Sequence, residues 1–227
     1  MAYQKLMDMK YNTIIFDLDG TLLYTLEDIA DSTNYALRKC GFPERSLKEI
    51  NSFIGNGTNH LIAKAVPANT SKDQLEECIQ VYRDHYFLNS ANKTAPFDGI
   101  LDMLGQLRNE NYKLAVVSNK FDQAVKDLCK KYFSNYLKIA IGESPLIQRK
   151  PAPDTVFAAM KELGSNKEEC IYVGDSEVDV KTAHNAGIPC IGVSWGFRGA
   201  SLLEKEGANY IINSPNEIFQ VLENLSK

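Results

Sequence analysis

Six short apolar runs alternate with segments of helical periodicity along this chain, and that alternation restricts the fold more than any other feature. The runs are Thr13 to Phe16, Leu114 to Val117, Leu137 to Ile141, Ile171 to Val173, Cys190 to Val193 and Tyr210 to Ile212. Each has strand length and β-branched or aromatic content. Between most of them lie segments such as Gln123 to Lys131, Asp154 to Leu163, Val178 to Ala186 and Glu217 to Leu225, whose apolar residues recur at helical spacing. Strands that alternate with helices pair in parallel, so the pattern predicts an α/β fold with a doubly wound parallel sheet. Pro151 and Pro153 suit a helix start, and Gly164 and Gly187 stand where a left-handed residue closes a helix.

One interval breaks the alternation. From about Leu26 to Asn92 the sequence reads as helices without a strand: Leu26, Ile29, Ala30, Thr33 and Leu37 form one stripe, and Leu75, Ile79, Tyr82 and Tyr86 form another. Ser46 with Glu49, and Ser71 with Gln74, have capping-box spacing at two helix starts. The expectation is a helical insert after the first strand, with residues 24–96 as the insert and residues 1–23 and 97–227 as the sheet-bearing core. Leu23 to Thr25 and Thr94 to Gly99 are the expected hinges, which would let the insert close over the strand ends where open α/β sheets bind ligands.

Composition sets outer bounds. With 227 residues the chain can bury a substantial core, and no apolar run approaches the roughly 18 residues of a membrane helix. A formal charge of −4 argues against a broad basic face for nucleic acid or membrane lipid. Met1 to Lys10 lack the apolar stretch of a secretory signal, so the expected location is the cytoplasm, and this segment reads as a frayed tail with a natural start at Met9. The five cysteines show no metal or redox spacing and are read as reduced, buried residues.

Four polar signals follow predicted strands. Asp17-Leu18-Asp19-Gly20-Thr21 places two carboxylates two residues apart, suited to nucleophile or metal ligand and proton donor, or else simply to a polar turn. Ser118 and Asn119 offer a hydroxyl and loop amides to a phosphate oxygen, although both are ordinary loop residues. Lys150 before Pro151 could neutralise a phosphate or a carboxylate. Asp175 and Asp179, one helical turn apart, could share a Mg²⁺ ion or could cap a helix and face solvent. Jointly, at the ends of strands of one sheet, they describe a phosphoryl-transfer site.

Asp17-x-Asp19-Gly20-Thr21, Ser118-Asn119, Lys150-Pro151 and Gly174-Asp175-Ser176-x-x-Asp179 together resemble the four motifs of the haloacid dehalogenase superfamily, over almost the whole chain. Within it the chain is similar to the phosphoglycolate phosphatase group, with supporting features in Phe53-Ile54-Gly55-Asn56-Gly57, Ser118-Asn119-Lys120 and Asn185-Ala186-Gly187-Ile188. The resemblance implies a Rossmann-like core with a helical C1-type cap. It implies that Asp17 attacks phosphorus, while Asp19 protonates the leaving oxygen and then activates water. Mg²⁺ would be held by Asp17, Asp175 and the backbone carbonyl of Asp19, with Asp179 behind them, and Ser118, Asn119 and Lys150 would bind the phosphoryl oxygens. The chain departs from the group at Tyr24-Thr25, where related phosphatases often carry Asp-Ser, which leaves the substrate open.

The expected activity is hydrolysis of a small organic phosphate monoester, 2-phosphoglycolate first, with Asn56, Thr58 and Asn59 as candidates for substrate contact. Alternatives are a sugar-phosphate mutase similar to β-phosphoglucomutase, an inorganic pyrophosphatase, and a non-catalytic binding protein. The expected partner is a small phosphorylated molecule, with neither nucleic acid nor membrane. His60, His85 and His184 lack ligand spacing, Tyr82 and Tyr86 read as core of the insert, and Trp195 to Arg198 could either line the cleft or pack beneath it.

Overall fold

The computed structural model describes residues 10–225, so the reading of Met1 to Met9 lies outside the described residues. Six parallel strands form the main sheet. They are β1 (Thr13–Phe16), β4 (Lys113–Phe121), β5 (Ile139–Glu143), β6 (Cys170–Gly174), β7 (Cys190–Val193) and β8 (Tyr210–Ile212), arranged β5-β4-β1-β6-β7-β8. β1 is central, in register with β4 through Phe16–Val116 and with β6 through Phe16–Val173. The chain therefore leaves β1 in one direction and returns on its other side. The crevice beyond the carboxyl ends of β4, β1 and β6 is the topological switch point of the sheet.

Residue alternation divides the strands between two apolar layers. Ile14, Phe16, Leu114 and Val116 face α5 (Ile100–Asn109), α6 (Asp122–Phe133) and α10 (Glu217–Leu225), where Leu104, Leu128, Phe133 and Ile218 meet them. Ile15, Ala115, Val117 and Tyr172 face α7 (Asp154–Leu163), α8 (Glu177–Ala186) and α9 (Ala200–Glu206), where Val156, Ala159, Val180 and Leu203 close the second layer. With helices on both faces, the strands are apolar on both sides, which explains their continuous hydrophobic runs.

Between β1 and β4 the chain forms four helices: α1 (Leu26–Lys39), α2 (Leu47–Phe53), α3 (Gly57–Ala65) and α4 (Lys72–Asn89). They surround their own apolar cluster, including Ile29, Leu37, Ile50, Ile62, Tyr82 and Tyr86. Both capping boxes form: Ser46 with Glu49 opens α2, and Ser71 with Gln74 opens α4. The two connections to the sheet pair with each other as an antiparallel ribbon of β2 (Leu23–Tyr24) and β3 (Ala95–Pro96). Sequence alone reads these as loops, because two residues per strand and a proline give no alternation to detect.

Other departures are local. β4 runs on past Val117 to Phe121, and β5 lies two residues beyond its expected position, with Leu137 buried ahead of it. Pro151 stands outside α7, in a cis peptide with Lys150, and the helix begins at Asp154 after Pro153. Gly164 and Gly187 take left-handed conformations at their helix ends, as expected. No helix among the described residues is long and apolar enough to cross a membrane.

Candidate active site

β1 ends by continuing its ladder one residue further, the Asp17 amide donating to the Val173 carbonyl at 2.9 Å, so Asp17 enters the crevice from the centre of the sheet. The loop then turns sharply, with the Gly20 amide donating to the Leu23 carbonyl at 2.9 Å. Gly20 has φ +87°, and a β-carbon there would overlap the Asp175 carboxylate, so glycine is required for both reasons. Gly196 has the same function from the opposite side, where a β-carbon would overlap Asp175 and the Gly20 carbonyl.

Asp17, Asp175 and Asp179 are all buried, and one carboxylate oxygen from each lies within 4.8 Å of the others. Lys150 neutralises part of this cluster: its Nζ donates to Asp17 Oδ1 at 2.6 Å, to Asp179 Oδ1 at 2.7 Å and to the Tyr172 hydroxyl at 3.0 Å. Asp179 is otherwise engaged, since its Oδ2 accepts from the Ser176 amide at 3.1 Å and the Ser176 hydroxyl at 2.6 Å. Ser176 therefore caps α8, and Asp179 faces inward, not into solvent. Asp175 accepts from the Phe197 amide at 2.7 Å and lies at the long limit, 3.4 Å, of a bond from the Thr21 hydroxyl.

Three carboxylates against one ammonium leave an excess of buried negative charge. Burial, then repulsion from Asp179, pushes Asp17 up to about 7 in spite of Lys150. Burial, Asp179 and Asp17 push Asp175 well above its ordinary range. Burial works against the Lys150 ammonium, but Asp17 and Asp179 outweigh it and raise the group above its ordinary value. A buried oxygen cluster with surplus negative charge fits a hard divalent cation. Asp17 and Asp175 could offer such an ion side-chain oxygens, whereas both oxygens of Asp179 already accept hydrogen bonds.

The cleft above has a volume of about 60 Å³. Asp17, Asp19, Ser118, Lys120 and Lys150 contribute from the sheet side, Ile29, Ile54, Thr58, Leu61 and Tyr82 from the helical insert, and Phe197 and Arg198 from the loop after β7. Ser118 accepts a bond from the Lys120 amide at 3.2 Å, which leaves its hydroxyl proton to donate. Asn119 is different: its Nδ2 donates to the Gly55 and Lys150 carbonyls, both at 2.9 Å, leaving only an acceptor, Oδ1. The Asn119 side chain therefore joins the insert to the Lys150 segment and has no side-chain donor left for a phosphoryl oxygen.

Thr58 reaches the cleft, whereas Asn56 and Asn59 do not line it: Arg149 donates to the Asn56 carbonyl at 3.1 Å, and Arg83 to Asn59 Oδ1 at 3.1 Å. None of the three histidines lines it either. Burial and the nearby Lys64 and Arg149 lower His60, His85 stacks on Tyr35 at 4.0 Å, and His184 contacts the Gly207 carbonyl.

Sequence reasoning left several residues unassigned. Trp195 packs beneath the first loop, donating to the Thr21 carbonyl at 3.0 Å, while Phe197 and Arg198 line the cleft, so both alternatives for this segment hold in different residues. Tyr172 was a recoverable signal: a tyrosine inside an apolar strand needs a partner for its hydroxyl. Tyr86 is core, as expected, and also holds Lys120.

A parallel α/β core that gathers an aspartate pair, a lysine and a further acidic pair at its switch point defines a hydrolase class. The sequence pattern of the haloacid dehalogenase-like hydrolases matches residues 14–193, and the chain belongs to that family. It belongs to the phosphatases within it. It is 30% identical over 213 residues to the phosphoglycolate phosphatase of Aquifex aeolicus, covering 93% of this chain and 96% of that one. A Lactobacillus delbrueckii crystal structure, assigned as a phosphoglycolate phosphatase, matches with TM-score 0.87 at 33% identity over 96% of this chain and 99% of that one. A Caldanaerobacter subterraneus protein assigned as a pyrophosphatase is 28% identical over 216 residues, 95% of this chain and 96% of its own.

Proposed function

We propose that this phosphatase hydrolyses a small organic phosphate monoester, 2-phosphoglycolate first, through an aspartyl-phosphate on Asp17 and with Mg²⁺ as its metal. The observation that carries the reading is the buried Asp17–Asp175–Asp179 cluster, partly neutralised by Lys150, on the floor of a small roofed cleft. Asp17, Asp175 and the Asp19 carbonyl would hold Mg²⁺, which would supply charge neutralisation for a dianionic substrate and its transition state. Asp17 Oδ1 accepts from Lys150, and no hydrogen bond among the described residues occupies Oδ2, the atom assigned to attack phosphorus. As the Asp17–P bond forms and the ester P–O bond breaks, Asp19 gives its proton to the departing oxygen. It then takes a proton from the water that hydrolyses the aspartyl-phosphate. Ser118 and Lys150 hold the phosphoryl oxygens.

The helical insert roofs the cleft over Asp17 and Lys150, which favours a small phosphate ester over a large phosphorylated substrate. Ile29, Ile54, Leu61, Tyr82 and Phe197 favour an organic leaving group over the second phosphate of pyrophosphate, while Arg198 and Thr58 offer contacts to a carboxylate. In this reading residues 24–96 are a cap domain on a core of residues 1–23 and 97–227, and the enzyme acts on a small cytoplasmic metabolite.

The test is phosphate release from 2-phosphoglycolate, sugar phosphates, nucleotides and pyrophosphate, with Mg²⁺ or EDTA, by wild type and Asp17→Asn. Release that requires both Mg²⁺ and Asp17, fastest on 2-phosphoglycolate, is expected. Undiminished turnover by Asp17→Asn would overturn the mechanism, and pyrophosphate as the fastest substrate would overturn the substrate assignment.

A further inference from the structure

Lys120 is a buried cation outside the Asp17–Lys150 cluster, with its side chain 5% exposed. Its Nζ lies 3.2 Å from Asp19 Oδ1. The same nitrogen donates to the Tyr86 hydroxyl at 2.9 Å and sits 4.4 Å from the centre of the Tyr86 ring. Tyr86 is fixed in turn by stacking on Tyr82 at 5.5 Å and by an edge contact with Phe121 at 6.0 Å. Asp19 Oδ1 is buried and receives no aligned hydrogen bond, so its contact with Lys120 is one of charge and not of directed bonding. A long, flexible ammonium would not hold that place unaided. The Tyr86 hydroxyl and ring face supply the second and third restraints.

We propose that Lys120 is a positioning residue for the proton donor, fixing the Asp19 carboxyl, and that Tyr86 of the helical insert fixes Lys120. The inference rests on the assignment of Asp19 as acid and base. Its chemistry is confined to the step in which the Asp19 O–H bond breaks, its proton goes to the ester oxygen, and the P–O electron pair leaves with that oxygen as Asp17 bonds to phosphorus. Lys120 holds geometry in this step and exchanges no proton.

That assignment separates Lys120 from a residue that binds phosphate or supports the fold. An alkoxide leaving group needs the proton, whereas p-nitrophenolate leaves well without it. In kcat/KM, which reports steps through departure of the leaving group, Lys120→Met is expected to lose tenfold to a hundredfold, roughly, on an alkyl phosphate and less than about threefold on p-nitrophenyl phosphate. Tyr86→Phe keeps the ring and removes the acceptor, so the same selective loss is expected at smaller size. Equal losses on both substrates, or none, would refute the proposal. Should Lys120→Met fail to fold, Tyr86→Phe decides it: an unchanged alkyl-to-aryl ratio refutes it. Asp17→Asn is the control, because turnover of p-nitrophenyl phosphate without Asp17 would instead refute the aspartyl-phosphate reading.

Discussion

Among the described residues Asp175 has two hydrogen-bond donors and no cation in direct contact, and beside it Asp17 shares Lys150 with Asp179. Without metal, this arrangement favours protonated carboxyls. Asp17 moves from an ordinary 3.8 to about 7 on folding, so between those values the folded chain binds more protons than the unfolded one. Its contribution to stability is present in full below the lower value and is lost as pH rises through the upper one; Asp175 acts in the same direction. The metal-free protein should therefore lose Tm between pH 5.5 and 8 in EDTA, and Asp175→Asn should lose less and melt higher at pH 8. Added Mg²⁺ should raise the wild-type Tm more at pH 8 than at 5.5 and leave Asp175→Asn nearly unmoved. Thermal scans across this pH range check the prediction, and a variant that melts lower than wild type at pH 8 in EDTA would contradict it. Asp17, Asp19, Asp175 and Asp179 were legible in the sequence because each motif is short and follows a strand. Gly196, Phe197 and the Lys120–Tyr86 pair were not, because their meaning arises only from contacts between distant segments.

At the scale of elements, local chemistry and long-range pairing diverge in the same way. α4 starts where Ser71 and Gln74 satisfy each other's backbone amides, a signal contained in four residues. Ser71→Ala should cost about 1 kcal/mol of stability while leaving kcat unchanged, as urea unfolding and a kinetic assay can establish. The strands of the main sheet were readable because they are buried on both faces and therefore continuously apolar. β2 and β3 were not, since two-residue strands carry no period and become strands only by finding each other across the seventy positions between Tyr24 and Ala95. The extension of β4 through Ser118, Asn119 and Lys120 was hidden by polar residues that are buried for the sake of the site.

Across the whole molecule, the insert is held on the sheet largely through its own backbone. Arg198 donates to the Asn51 carbonyl at 2.8 Å and the Ile54 carbonyl at 2.5 Å, Asn119 to Gly55 and Arg149 to Asn56. Four carbonyls of one short segment thus receive donors from three separate segments of the core, the end of β4 among them. Removing the two Arg198 bonds should release about 2 kcal/mol of local restraint, so amides of residues 51–58 should exchange about thirtyfold faster in Arg198→Ala. The amides of β1 and β4 should be unaffected, a contrast that mass-spectrometric hydrogen exchange resolves. Uniform acceleration would mean that Arg198 supports the fold as a whole, not the contact with the insert.

The ribbon of β2 and β3 bears on how such a restraint is released. Two separate tethers would leave the helical insert free to slide, twist and rock over the sheet. Leu23 paired with Pro96 and Tyr24 with Ala95 tie the tethers into a single strip, stiff in its plane and pliant across it. Were the insert to open and close over the sheet, such a strip would act as the leaf of a hinge and restrict the motion to rotation about one axis, so that each closure would return the same side chains to the same atoms of the site.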